Sequence, residues 1–239
     1  MTYATIALAA AVLPALFLLW TFHRRDRYPE PTRVVLKTFA LGVVSVVPIL
    51  VVAVPASNLV EQFTHPYLAG LGTAFLGAAI PEESFKYLIV VYYCARHSAF
   101  DEPMDGLVYG TAASLGFAAL ENILYVSSGG LGLALLRAFT AVPAHAAMGA
   151  IMGYYIGEAH FAPDQKAVLY FKAWAVPVLV HGLYDFPLLT LQHLSDPPAV
   201  ESLLLGLGAI AVLIWTWRRA RRLSREVREM QDTQAIYSA

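Results

Sequence analysis

Charge is scarce in this sequence. Only 14% of its 239 residues are Asp, Glu, Lys or Arg, against about 25% in a soluble globular protein. That shortfall, with a hydrophobic share of 58% and a mean hydropathy of +0.59, excludes an ordinary soluble fold and indicates a chain dissolved in lipid. Basic excess is missing as well. A net charge of −1 and a pI near 6.6 argue against nucleic acid as a partner. Cysteine occurs once, at Cys94, which excludes an internal disulfide and any cysteine-built metal site. On a membrane helix it reads as a small packing residue. There is no low-complexity tract, long linker, separate soluble domain or convincing internal repeat. Neither a Gly-x-Ser-x-Gly elbow nor an HExxH zinc motif occurs.

What the chain has instead is long apolar runs. Seven stretches are expected to cross a bilayer, at roughly 3–22, 34–54, 67–94, 105–126, 132–158, 167–190 and 200–217. The fold class that follows is all-α, a polytopic transmembrane helix bundle in the cell membrane. Lys and Arg set its orientation. They gather at Arg24, Arg25, Arg27 and Arg33, at Arg96, at Lys166, and in a tail holding Arg218, Arg219, Arg221, Arg222, Arg225 and Arg228. The alternate connections, 55–66, 127–131 and 191–199, carry neither residue. The asymmetry predicts an outside N-terminus and a cytoplasmic C-terminus. The first stretch has no basic residue before it, so it reads as a retained helix rather than a cleaved signal. The expected organisation is 1–33 as first helix and basic connection, 34–217 as the main membrane domain, and 218–239 as a basic tail, solvated or lying on headgroups.

Against this apolar background a few polar groups stand out. A charge at bilayer depth costs roughly 2.5–3.5 kcal/mol on insertion scales. Yet Pro81-Glu82-Glu83-Ser84-Phe85-Lys86, Glu121-Asn122, His145 and His181-Gly182-Leu183-Tyr184-Asp185 all lie within apolar stretches. They are affordable only if they meet in a protein interior. Pro81 should kink its helix. Ala74, Ala78, Glu82 and Lys86 recur every four residues and share a face. Lys86 can neutralise one of the adjacent glutamates, which leaves the other in excess of what an ion pair needs. The spacing of His145, Gly149, Gly153 and Gly157 aims His145 at protein along a close-packed stripe. His181 and Asp185 are four apart, so the carboxylate can orient the imidazole. Bland alternatives exist: an intramembrane ion pair for Glu83–Lys86, an interfacial charge for Glu121, a simply hydrogen-bonded core histidine for His145. Arg137 reads as a side chain snorkelling to the outer face, with an ion pair as the alternative. Trp174, Tyr184 and Phe186 read as packing or interface residues. Glu82, Glu83, Glu121, His145 and His181 are expected to line one cavity that opens towards the outside.

The ordered set of motifs resembles the PrsW family of intramembrane proteases over about 20–190. Glu82-Glu83-x-x-Lys86 resembles its EExxK motif. Asp105-Gly106-x-x-Tyr109-Gly110, followed by Phe117-x-x-x-Glu121-Asn122, resembles its second block. His145 with its glycines and His181-x-x-x-Asp185 resemble the later blocks, and Arg27-Tyr28-Pro29-Glu30-Pro31 the segment after the first helix. The wider group of CAAX-processing and bacteriocin-processing proteases is characterised by EExxxR, FxxxH and HxxxN/D. This chain departs from that group with Lys86 one position early and Glu121 where it has His. The resemblance implies hydrolysis of a peptide bond in a single-span membrane protein, such as an anti-sigma factor, near the extracytoplasmic side. Glu82, Glu83, Glu121, His145, His181 and Asp185 are then the catalytic candidates, with Lys86 and Asn122 balancing charge or holding structure.

Two chemistries remain open. In the favoured one, a buried glutamate acts as general base on water while His181, oriented by Asp185, binds that water or stabilises the oxyanion. In the other, zinc held by Glu83, Glu121, His145 and His181 activates the water. Two other classes also fit buried Glu, His and Asp: an ion-coupled transporter, and a noncatalytic membrane scaffold.

Overall fold

Apolar runs in a medium without water must satisfy their backbone internally, and the chain does so with helices throughout. The computed structural model describes the backbone over residues 3–60 and 62–237, and side chains over 5–60 and 62–233. Among the described residues there is no strand. Helices α1 (Tyr3–His23) and α2 (Thr32–Val60) are followed by a rod of four consecutive pieces: α3 (Pro66–Gly72), a π-helical stretch (Thr73–Ala79), α4 (Ile80–Ile89) and a second π-helical stretch (Val90–Cys94). Then come α5 (Pro103–Phe139), α6 (Ala141–Phe161), α7 (Lys166–His193) and α8 (Ala199–Tyr237). Five helical stretches are long and apolar enough to cross a membrane: Thr5–His23, Thr32–Val60, Pro103–Phe161, Pro163–His193 and Ala199–Thr233. The rod carrying Glu82, Glu83 and Lys86 is interrupted and charged, and is not among those five.

The stretch Pro103–Phe161 is not one rod. At about 1.5 Å per residue it would run to about 88 Å, far beyond a ~30 Å hydrocarbon layer. Gly106 packs on Gly153 and Gly157, and Gly110 on Gly149 and Gly153, so numbering rises along α5 as it falls along α6. The two helices are antiparallel. A Cβ at any of these glycines would run into the facing backbone, usually a carbonyl oxygen. The absence of side chains is what lets the axes approach. This is the stripe expected from the four-residue spacing after His145.

Two breaks shape the far end of this hairpin. Gly130 has φ 70° and ψ −171° inside α5, a conformation that costs glycine little. Thr140, at φ −122° and ψ −76°, separates α5 from α6. The expected fifth stretch, 132–158, is therefore two helices: a short return leg after Gly130, then α6. The leg's direction follows from one contact. Arg137 reaches Glu121 at 2.5 Å, whereas 16 residues of straight helix would hold them about 24 Å apart.

The kink expected at Pro81 takes the form of the π-helical stretch before it. Proline lacks an N–H, and its ring collides with the carbonyl four residues back. A turn widened to i→i+5 bonding relieves both, and the Ile80 N–H accordingly bonds to the Phe75 carbonyl. The rod then packs on α7, where Gly182 receives the Phe75 ring and Gly70 receives Thr190.

At the opposite end, the basic tail is not simply solvated. Ala220, Leu223 and Val227 of α8 are buried in the main core. Gln231 donates to Asp26 at 2.8 Å and to Glu102, and Arg27 pairs with Asp232 at 2.7 Å. Asp105 caps α5 by accepting from the Asp101 and Glu102 N–H groups at 2.7 Å each. These contacts tie the tail to the connections after α1 and before α5.

The glycine contact can be tested directly. Gly153→Val should lower stability by about 1–3 kcal/mol, the usual cost of overpacking a tight core. Gly208→Ala, where a methyl would meet nothing within 4 Å, should leave the unfolding midpoint in detergent unchanged or raised.

Candidate active site

The i, i+3, i+4 periodicity of α4 puts both glutamates beside one lysine. Lys86 Nζ donates to Glu83 Oε1 at 2.9 Å and to Glu82 Oε2 at 3.2 Å. The ammonium is fully buried, lies 4.0 Å from the centre of the Phe117 ring and is 3.3 Å from His145 Nδ1. An unpaired charge there would cost several kcal/mol. Two carboxylates, an imidazole and an aromatic face replace its water.

The other residues assemble around this ion. From α7, His181 Nδ1 meets Glu83 Oε1 at 2.8 Å, while Nε2 lies 3.1 Å from Asp185 Oδ2 and 3.9 Å from Glu82 Oε2. The expected His181–Asp185 pair is thus present. From α6, His145 Nε2 meets Glu121 Oε2 at 3.1 Å. Its ring stands edge-on to His181, with centres 5.2 Å apart. Glu121 is not an isolated interfacial charge, since it also takes Arg137 Nη2 at 2.5 Å. Arg137 Nε donates to Asn122 Oδ1 at 3.2 Å, and Asn122 Nδ2 in turn donates to the Ala11 carbonyl at 3.3 Å. Ser84 accepts from Trp174 Nε1 at 2.9 Å, fastening α4 to α7 one residue from the glutamates.

All eight residues singled out in the sequence therefore fall in one connected polar network. Arg137 does not snorkel to the outer face but forms an ion pair, the alternative reading of its position. A signal for it existed: Glu121 sits in an apolar helix and needs a cation, and Arg137 is the basic residue at the same end. The reversal at Gly130, within the connection expected at 127–131, brings them together. The guanidinium carbon lies over the Tyr125 ring, 3.9 Å from its centre.

A cavity of about 840 Å³ opens beside this network. Glu82, Glu121, His145, His181 and Asp185 form its polar wall. Val46, Ile49 and Ala53 of α2, with Leu136 and Leu188, are among its apolar walls. Glu83 was expected on the cavity too, but it lies behind the wall, fully buried and bonded to Lys86 and His181.

One subset has the chemistry of a metal centre. Glu82, Glu83, His145 and His181 each offer a ligand atom, and these atoms all lie within 4.8 Å of one another. Two carboxylates and two imidazoles suit zinc, and Glu83 Oε2 is buried with no hydrogen-bond partner. The donor set fits. It contains Glu82 where Glu121 was expected, because Glu121 is turned towards Arg137.

With this geometry in view, comparison with known proteins is decisive. The pattern described as PrsW family intramembrane metalloprotease matches residues 30–222. The chain belongs to the PrsW family. It is 39% identical to Protease PrsW of Bacillus subtilis (strain 168), over 78% of this chain and 84% of that protein. The identity is 38% with Protease PrsW of Geobacillus kaustophilus, covering 78% and 81%. It is 35% with that of Oceanobacillus iheyensis, covering 87% and 90%. No solved structure matches. Membership supports a membrane protease, a hydrolase of the multi-pass cell-membrane type, and a polar network of this kind inside an apolar bundle is what such chemistry requires.

The Arg137–Glu121 pair should behave as a coupled unit. Arg137→Gln leaves a largely buried carboxylate without its cation and should cost about 3 kcal/mol, at the low end for breaking a buried pair because both side chains keep some solvent contact. Adding Glu121→Gln should recover most of that loss. A double-mutant cycle by thermal unfolding in detergent measures the coupling, and purely additive losses would show that the pair does not stabilise the fold.

Proposed function

We propose that this chain is an intramembrane endopeptidase that cleaves a single-span membrane protein, for which an anti-sigma factor is a fitting substrate class, near the extracytoplasmic side. The observation that carries the reading is a buried carboxylate–imidazole network lining a mostly apolar cavity. Peptide hydrolysis inside a membrane needs apolar walls for the substrate and a polar wall for water. Lys and Arg asymmetry supports seven crossings, with the N-terminus outside and the C-terminus in the cytoplasm. In that arrangement Glu121, His181 and Asp185 lie in the outer half.

Within the network, exposure separates the two glutamates. Glu82 borders the cavity and is the general base that takes a proton from water. Glu83 is enclosed by Lys86 and His181 and acts by positioning both. His181, held by Glu83 on one nitrogen and Asp185 on the other, orients the water or stabilises the oxyanion. His145 and Glu121 extend the polar wall, with Arg137 fixing Glu121. This reading is of the glutamic type. Lys86 favours it, because its ammonium already engages both carboxylates and approaches His145 Nδ1.

The compact donor group favours a second reading. Glu82, Glu83, His145 and His181 would hold a zinc ion, which would supply a Lewis acid and a more acidic water. Metal content of active protein, measured together with cleavage after chelation and readdition, separates the two. Activity that survives removal of all metal supports the glutamic type.

Three outcomes test the reading as a whole. Glu82→Gln should reduce cleavage of a single-span reporter by roughly 10²–10⁴-fold while the protein still inserts and keeps its unfolding midpoint; near-normal cleavage would reject Glu82 as base. His181→Ala should abolish activity, and Asp185→Asn should cost less, since an amide still bonds the ring. The double variant should be no worse than His181→Ala alone, and multiplicative losses would deny the orienting role. For topology, in a Cys94→Ser background, Ser127→Cys and Ser195→Cys should react with a membrane-impermeant thiol reagent in intact cells, and Ser98→Cys should not. All three serines are exposed. The reverse pattern would turn the site towards the cytoplasm.

A further inference from the structure

Away from the glutamates, the turn after α1 and the second half of α8 border a second cavity, of about 750 Å³. Six arginines line it: Arg24, Arg25, Arg218, Arg221, Arg225 and Arg228. Buried Ser224 is the remaining wall residue, and no carboxylate is among them. The four on α8 are spaced three, four and three residues apart, so they form one stripe on one helix face. Arg228 Nη1 donates to the Arg25 carbonyl at 2.7 Å, which brings the α1 pair up to that stripe.

Nearby carboxylates are committed elsewhere. Glu226 holds Arg222, outside the cavity, at 2.8 Å. Asp232 holds Arg27 at 2.7 Å and reaches only Arg228, at 3.4 Å, among the six. Among the described residues, Arg24, Arg25, Arg218, Arg221 and Arg225 form no ion pair with a carboxylate. Like charges at three- and four-residue spacing destabilise a helix, and here a second repelling pair is added from the turn that follows α1. A bound polyanion relieves that repulsion. Guanidinium groups suit phosphate in particular, through paired N–H donors. Two of them are braced by indoles: Arg24 lies 4.9 Å from the Trp20 ring centre and Arg221 5.3 Å from that of Trp217. Both tryptophans end apolar runs, where such residues mark headgroup depth.

We propose that this arginine cavity binds a phosphate-bearing anion, and that the phosphodiester headgroup of an anionic phospholipid fills it in the membrane. A free polyphosphate offers the same oxygens from the aqueous side. Either one would tie the end of α1 to α8 and hold the tail against the bundle.

The test uses full-length protein purified in detergent and stripped of lipid. Phosphatidylglycerol and phosphatidylcholine are titrated by native mass spectrometry, and inorganic pyrophosphate by calorimetry. The cavity variant is R221Q/R225Q. R219Q/R222Q removes the same charge from the same helix outside the cavity. The wild type and R219Q/R222Q should retain phosphatidylglycerol in preference to phosphatidylcholine, with at least tenfold weaker retention in R221Q/R225Q. Phosphatidylglycerol should raise the unfolding midpoint of the first two proteins only. Pyrophosphate binding that displaces the lipid and weakens in the same variant supports the site and identifies the soluble source. R221K/R225K, which keeps the charge without the planar fork, should fall between the wild type and the glutamine variant, and it serves as the readout if R221Q/R225Q does not fold. Equal loss in the two glutamine variants, undiminished binding in R221Q/R225Q, or no anion preference in the wild type would each overturn the proposal.

Discussion

A single ammonium group organises the interior of this protein. Lys86 is fully buried in a bundle whose other contents are mostly apolar, so its charge must be met by protein. Its own helix supplies Glu82 and Glu83, four and three residues before it. One carboxylate would suffice for neutrality, and the second creates a demand that the rest of the site answers. Four carboxylates (Glu82, Glu83, Glu121 and Asp185) share the network with two permanent cations, Lys86 and Arg137. The deficit of two positive charges is left to protons on carboxyls or imidazoles, or to a divalent cation. A network balanced in this way can take up or release a proton without stranding a charge in a low-dielectric interior, which is the property a hydrolytic site needs.

Backbone geometry makes that arrangement rigid. The π-helical turns ahead of Pro81 absorb the missing N–H and the ring, so α4 starts afresh with the glutamates in its first turn. The antiparallel glycine contact between α5 and α6 leaves almost no freedom in their relative height. That contact sets Phe117 and Glu121 opposite His145. The functional groups therefore sit on packed helices, where small displacements are resisted. The return leg between Gly130 and Thr140 delivers one further side chain, Arg137, to the network.

Much of this was legible in the sequence because the medium is so exclusive. In lipid a lone Glu, His or Lys in an apolar run carries information that it would lack in water. Glu82, Glu83, Lys86, Glu121, Asn122, His145, His181 and Asp185 stood out for that reason, and helical spacing alone paired His181 with Asp185 and aimed the glycine stripe. What could not be read depends on departures from the helical period. The reversal at Gly130 falls inside the connection expected at 127–131, whereas the break at Thr140 divides 132–158, which reads as one continuous apolar stretch. Which of Glu82 and Glu83 meets the cavity was hidden because adjacent residues differ by only about 100° around a helix, and the answer depends on how α4 is rotated. The tail's arginines read as generic inside charges. Only the approach of α1 to α8 turns four of them, with Arg24 and Arg25, into a lined cavity.

The two cavities differ in a way that clarifies each. The arginine cavity gathers like charges with no opposite charge on its wall, an arrangement suited to holding a strong anion and to little else. The charged network on and behind the wall of the larger cavity is compensated internally: Glu121 by Arg137 and His145, Glu83 by Lys86 and His181, Asp185 by His181. Such a wall has no strong hold on a charged ligand. It is better suited to a neutral amide lying along apolar residues of α2, with water drawn to the carboxylates opposite. Of the two adjacent glutamates, Glu82 is the one in contact with the cavity, with 10% of its side chain exposed against none for Glu83, so it is the carboxylate of that pair that water in the cavity can reach.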